Sequence, residues 1–60
     1  MKTTLREHIE QLIKDYESIF LKYIHRRNKA MENFELQEAA KFDIKSKEIS
    51  SVIDDLRNAL

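Results

Sequence analysis

The chain contains no glycine, no proline and no cysteine. Each absence removes a class of structure. Tight turns, β-bulges and phosphate-cradling loops lose the residue that supplies a positive φ or a bare backbone. Disulfide frameworks and thiolate metal sites are excluded outright. With proline and glycine both missing, no residue is present that ordinarily breaks a helix. Long apolar runs are missing too. The longest is Ile19-Phe20-Leu21, followed after Lys22 by Tyr23-Ile24, whereas about 20 residues are needed to span a bilayer. Met1-Lys2-Thr3-Thr4 leads into mixed charges instead of an apolar signal core, so the expectation is a cytoplasmic protein with no membrane partner.

Net charge is absent as well, because 11 Lys and Arg cancel 11 Asp and Glu. No overall field therefore draws the molecule to nucleic acid or anionic lipid. The halves differ, however: residues 1–30 carry seven bases and four acids, and residues 31–60 carry four bases and seven acids. Segments of opposite sign favour lying against each other. Sixty residues allow one domain, 1–60. Below about 70–80 residues a lone core seldom outweighs chain entropy without cross-links. With no cysteine, a homo-oligomer is expected, a dimer being the simplest.

What the chain has is helical periodicity. Leu5, Ile9, Leu12, Tyr16, Ile19, Tyr23 and Ala30 follow alternating steps of four and three, with Arg26 as a polar interruption, which is a heptad seam. Thr4 with Glu7 three residues on has the form of a capping box at its start. A second seam runs Ala39, Phe42, Ser46, Ile49, Ile53, Leu56, Leu60. The two are out of phase, since continuing the first would reach Asn33 and Gln37. The expected break is near Asn33, which tolerates the left-handed backbone and is also a good N-cap. Arg26, Arg27 and Lys29 then lie at a helix C-terminus, and Glu35 and Glu38 at a helix N-terminus, each favoured by the helix dipole.

The expected fold is all-α: an antiparallel two-helix hairpin, about 4–32 and 34–59, self-associating into a four-helix bundle. The rival geometry is one continuous helix about 80 Å long, with the phase shift absorbed as a stutter. Folding at Asn33 sets Ala30 near Ala39, Tyr23 near Phe42 and Ser46, Ile19 near Ile49, and Leu12 near Ile53 and Leu56. Two helices cannot cover apolar stripes this wide, so Ile13, Phe20, Ile24 and Val52 are expected at an oligomer or partner interface. Leu21 lies off both stripes.

No arrangement points to catalysis. The serines have no His within helical reach to activate them. His8 and His25 are separated by about 25 Å along a straight helix and cannot share an ion within one chain. Carboxylate pairs such as Asp54-Asp55 look like solvated helix faces. No enzyme activity, cofactor, metal site or catalytic residue is expected. The one chemical stripe is cationic: Lys22, His25, Arg26 and Lys29 share one helix side by spacing and suit an anionic partner. Against that stands structural pairing, with Arg26 stacked near Phe42 or paired with Asp43 or Glu38 while Arg27 points partly away.

The stretch Ala30-Met31-Glu32-Asn33-Phe34-Glu35-Leu36-Gln37-Glu38-Ala39-Ala40 resembles the turn of UVR-motif helical hairpins, where an acidic, aromatic-containing turn precedes paired alanines. The following Lys41-Phe42-Asp43-Ile44 lacks the Arg-Asp usual there, and the match covers less than a third of the chain. What the resemblance implies is a hairpin, not a repair function. The design is also similar in architecture to RNA-binding hairpin dimers that control plasmid copy number, and in composition to small phage or mobile-element products that bind and inhibit host proteins. The leading functional expectation is a non-enzymatic protein-interaction module, a helical oligomer that regulates or inhibits a partner protein. An RNA- or DNA-binding hairpin dimer using the basic stripe, and a structural coiled-coil spacer, are the alternatives.

Overall fold

Thr4 starts the first helix. Its backbone is extended (φ −72°, ψ 159°), and its hydroxyl accepts the Glu7 backbone N–H at 3.1 Å. The His8 N–H reaches the Thr4 carbonyl at 3.0 Å. The first is a donor that the opening turn would otherwise leave unpaired, and the second is the first bond of the helix itself. In the computed structural model, which describes residues 4–60, helix α1 runs Leu5–Glu32 and helix α2 runs Leu36–Asn58. They fold back on each other as an antiparallel hairpin whose long dimension is 49 Å. A continuous rod is thus replaced by two matched arms.

The turn differs in one respect from the expectation. Asn33 caps α1 with φ −91° and ψ 7°, and the residue in the left-handed region is Phe34, at φ 58°. The reason lies in the hydrogen bonds that close the helix. Glu35 donates its N–H to the Ala30 carbonyl at 2.8 Å, and Phe34 donates to Met31 at 3.1 Å. This is the Schellman pattern, which places the left-handed residue one step beyond the cap. Glycine usually stands there; this chain has none. Nor is Asn33 the N-cap of α2. Glu35 holds that position, with no side-chain capping bond.

The α2 seam is as expected from Ala39 to Leu56: Ala39, Ser46 and Ile53 are buried, and Phe42, Ile49 and Leu56 are half-buried, while Leu60, its expected last member, lies beyond the helix and is exposed. The α1 seam is shifted by one residue at every second step. Ile9, Ile13, Tyr16, Phe20, Tyr23, Arg27 and Ala30 face α2, while Leu12, Ile19 and Arg26 are exposed. Both series are heptads sharing Ile9, Tyr16, Tyr23 and Ala30, so helical period alone admits either. The packed one is tied at Arg27, whose Nη1 lies 3.1 Å from Asp43 Oδ1. Arg27, and not Arg26, is therefore the inward arginine.

Small residues permit close approach at the turn, where Ala30 and Ala39 are both buried. One layer further out, the Tyr23 and Phe42 rings lie 6.3 Å apart at a 32° tilt, a favourable aromatic separation. Ser46 is buried, and its hydroxyl donates to the Asp43 carbonyl at 2.7 Å, so no polar group is stranded beneath the rings. Ile13 and Ile53 are the only large apolar side chains buried among the described residues.

Candidate interaction surface

Two packed helices form a slab, here 20 Å wide and 10 Å deep between Cα atoms. Each inward side chain therefore has a helix on one side and an open face above and below. The two faces differ in chemistry.

One face is bridged by charge. Glu17 and Arg57 meet at 3.4 Å, Arg27 and Asp43 at 3.1 Å, and Lys47 reaches Asp43 at 3.0 Å. Hydrogen bonds from Lys47 and then Arg27 hold the Asp43 carboxyl below its ordinary pKa. Between this cluster and the turn lies a shallow hollow of about 520 Å³ lined by Met31, Leu36, Ala39 and Ala40 along with Arg27 and Asp43. Ile24, three residues before Arg27, borders the same side.

The opposite face carries the leucine and isoleucine that the α1 seam leaves out. Leu12 is 39% exposed, Ile19 37% and Val52 37%. Steps of seven relate Leu5, Leu12 and Ile19 to Arg26, and steps of seven relate Val52 to Glu38. Arg26 and Glu38 line one recess on this side together with Ala30 and Phe42. No ion pair joins the helices here among the described residues. At the end of the hairpin, Phe34 is 87% exposed, between exposed Met31 and Leu36.

The four residues expected at an interface therefore do not form one patch. Ile13 is 7% exposed and belongs to the contact with α2 within a single chain. Phe20 is half-buried in that same contact, and Ile24 and Val52 lie on opposite faces. Period 3.6 placed Ile13, Phe20 and Ile24 beside the seam chosen for α1 and Val52 beside that of α2; moving the α1 seam by one residue takes Ile13 and Phe20 inside and puts Leu12 and Ile19 outside. The usable signal was the arginine pair at 26 and 27 opposite a single inward acid, Asp43.

Lys22, His25, Arg26 and Lys29 are all exposed. Among the described residues none of them takes part in an ion pair, and Asp43 is engaged by Arg27 and Lys47 instead. Arg26 and Lys29 border the recess that holds Glu35 and Glu38, and Glu38 pairs with Lys41. No group of three or more metal-ligating side chains converges among the described residues, and none of their helices is long and apolar enough to cross a membrane. No protein family, no curated protein and no solved structure matches the chain.

Proposed function

We propose that the chain is a non-enzymatic protein-interaction module: a self-associating helical hairpin that binds a partner protein and regulates or inhibits it by occupying a surface. The observation that carries this reading is the apolar surface one hairpin leaves uncovered, which includes Leu12, Ile19 and Val52 on one face and Met31, Phe34 and Leu36 at the turn, beside the more scattered Leu5, Leu21 and Ile44. Patches of this kind mark association sites. The first suits a four-helix bundle, because neighbouring helices of a bundle bury such stripes. The second suits contact with another protein, since an exposed aromatic contributes little to the hairpin's own packing and aromatic side chains anchor interfaces.

Sedimentation equilibrium at micromolar concentration is expected to return twice the 7.2 kDa chain mass. A 7.2 kDa monomer that unfolds cooperatively overturns the self-association on which the reading stands.

A second reading, nucleic-acid binding, draws on the exposed stripe Lys22, His25, Arg26 and Lys29, which makes no ion pair among the described residues. It requires binding that weakens with salt and with joint replacement of Lys22, Arg26 and Lys29, because phosphate contacts release counterions. Absence of any shift with mixed RNA and DNA at low salt removes it. A spacer built on this chain is a hairpin 49 Å long and not a single rod.

A further inference from the structure

We infer that a second copy of this chain packs on the Leu12–Ile19–Val52 face in parallel, with both turns at the same end of the bundle. The inference rests on the self-association reading and adds to it a face and a direction. Two heptad lines border this face: Leu5, Leu12, Ile19 and Arg26 on α1, and Glu38, Lys45, Val52 and Ala59 on or beside α2. Both lines are graded. Their members near the chain termini are apolar, and those near the turn are charged.

Packing two hairpins face to face about a two-fold axis has two solutions. With the axis along the helices, the turns share an end and α1 lies on α2 of the second copy at matching levels. Leu12 then meets Val52 and Ala59 of the second copy, and Ile19 meets Val52 and the aliphatic stem of Lys45. Arg26 falls between Lys45 and Glu38 of the second copy, so the charged ends meet as a cluster of mixed sign. With the axis across the helices, the turns are at opposite ends and α1 lies on α1. Full overlap then sets Arg26 between Leu5 and Leu12 of the second copy, desolvating its guanidinium against apolar side chains. Sliding the copies until Leu12 meets Leu12 repairs that mismatch but leaves the turn ends uncovered.

Area favours the full overlap. The chain exposes 5049 Å², roughly 900 Å² more than a compact monomer of this mass. A standard stable interface covers about 800 Å² on each partner. Only the arrangement with shared ends covers the whole face while setting the apolar ends on each other and gathering Arg26, Lys45 and Glu38 at the charged end.

A chain without cysteine accepts a single spin label. Asn33→Cys, at the turn, carries one label, and Gln37→Cys, in the first turn of α2, carries another in case the cap at Asn33 is disturbed. With helix axes about 8–10 Å apart in a bundle, pulsed electron paramagnetic resonance on either labelled dimer is expected to give a label separation of about 20–25 Å. A separation near the 49 Å length of the hairpin or above it overturns the shared-end arrangement and leaves self-association standing. Loss of dipolar coupling together with a 7.2 kDa mass overturns both.

Discussion

Arg27 and Asp43 meet at 3.1 Å across the hairpin, and the same carboxylate takes Lys47 at 3.0 Å through its other oxygen. One acid thus ties the two helices and the next turn of its own helix. The Asp43 carboxyl is held below its ordinary value of 3.8 by these two cations. A depressed folded-state value gives stability that is present above the unfolded-state value and is lost as pH falls through the folded one. The urea midpoint is therefore expected to hold from neutral pH to about pH 4 as far as this group is concerned, and to drop below it. Asp43→Asn is expected to lower the midpoint at pH 7 and to flatten the acid limb; an acid limb unchanged by the substitution counts against the role of this cluster.

Phe34 stands in a backbone region that costs an L-residue roughly 1–2 kcal/mol, and its ring packs on little. Phe34→Gly is expected to stabilise the hairpin by about 0.5–1 kcal/mol, after glycine's greater unfolded-state entropy is deducted. For a domain this small that is a rise of a few degrees in Tm. Phe34→Ala keeps the left-handed cost and is expected to leave Tm nearly unchanged. If glycine lowers Tm, the ring supports the fold and is not reserved for a partner.

The α2 seam was legible because that segment offers one apolar heptad: Ala39, Phe42, Ser46, Ile49, Ile53, Leu56. In α1 the apolar stripe is doubled at Leu12-Ile13 and Ile19-Phe20, and the arginines are doubled at 26 and 27. Periodicity assigns equal merit to the two series, and only the placement of Asp43 across the hairpin separates them. The hairpin itself could be read from the phase change between the seams. The left-handed Phe34 could not, because residue preference points to Asn33 while the closing hydrogen bonds select the position after it. Which surface faces outward follows from these two local choices, and so the candidate interface changed where the fold did not.

Ile13 and Leu12 are neighbours in the chain with opposite tasks, and truncation separates them. Ile13 is buried between the helices of one chain, so Ile13→Ala removes methyl groups and leaves a gap, at a cost of about 2–4 kcal/mol. Helicity by circular dichroism is expected to fall at every protein concentration. Leu12→Ala, at a position exposed in the single chain, is expected to weaken association before it reduces helicity. Equal loss of helicity in the two variants at high dilution places Leu12 in the intrachain seam instead.

Assembly through the Leu12–Ile19–Val52 face couples folding to concentration. A partner that binds only the folded chain raises apparent stability by mass action, so Tm becomes concentration-dependent. A thousandfold increase in chain concentration is expected to raise Tm measurably in the natural protein. Ile19→Asp places a carboxylate at the centre of that face, where burial without a partner is costly, while in the single chain the same position keeps 37% of its surface in water. Its Tm is expected to be lower and nearly independent of concentration, with helical dichroism surviving at low temperature. If the variant keeps the concentration dependence of the natural chain, the copies meet elsewhere, and the charge-bridged face with its hollow beside Met31 and Leu36 becomes the surface to substitute next.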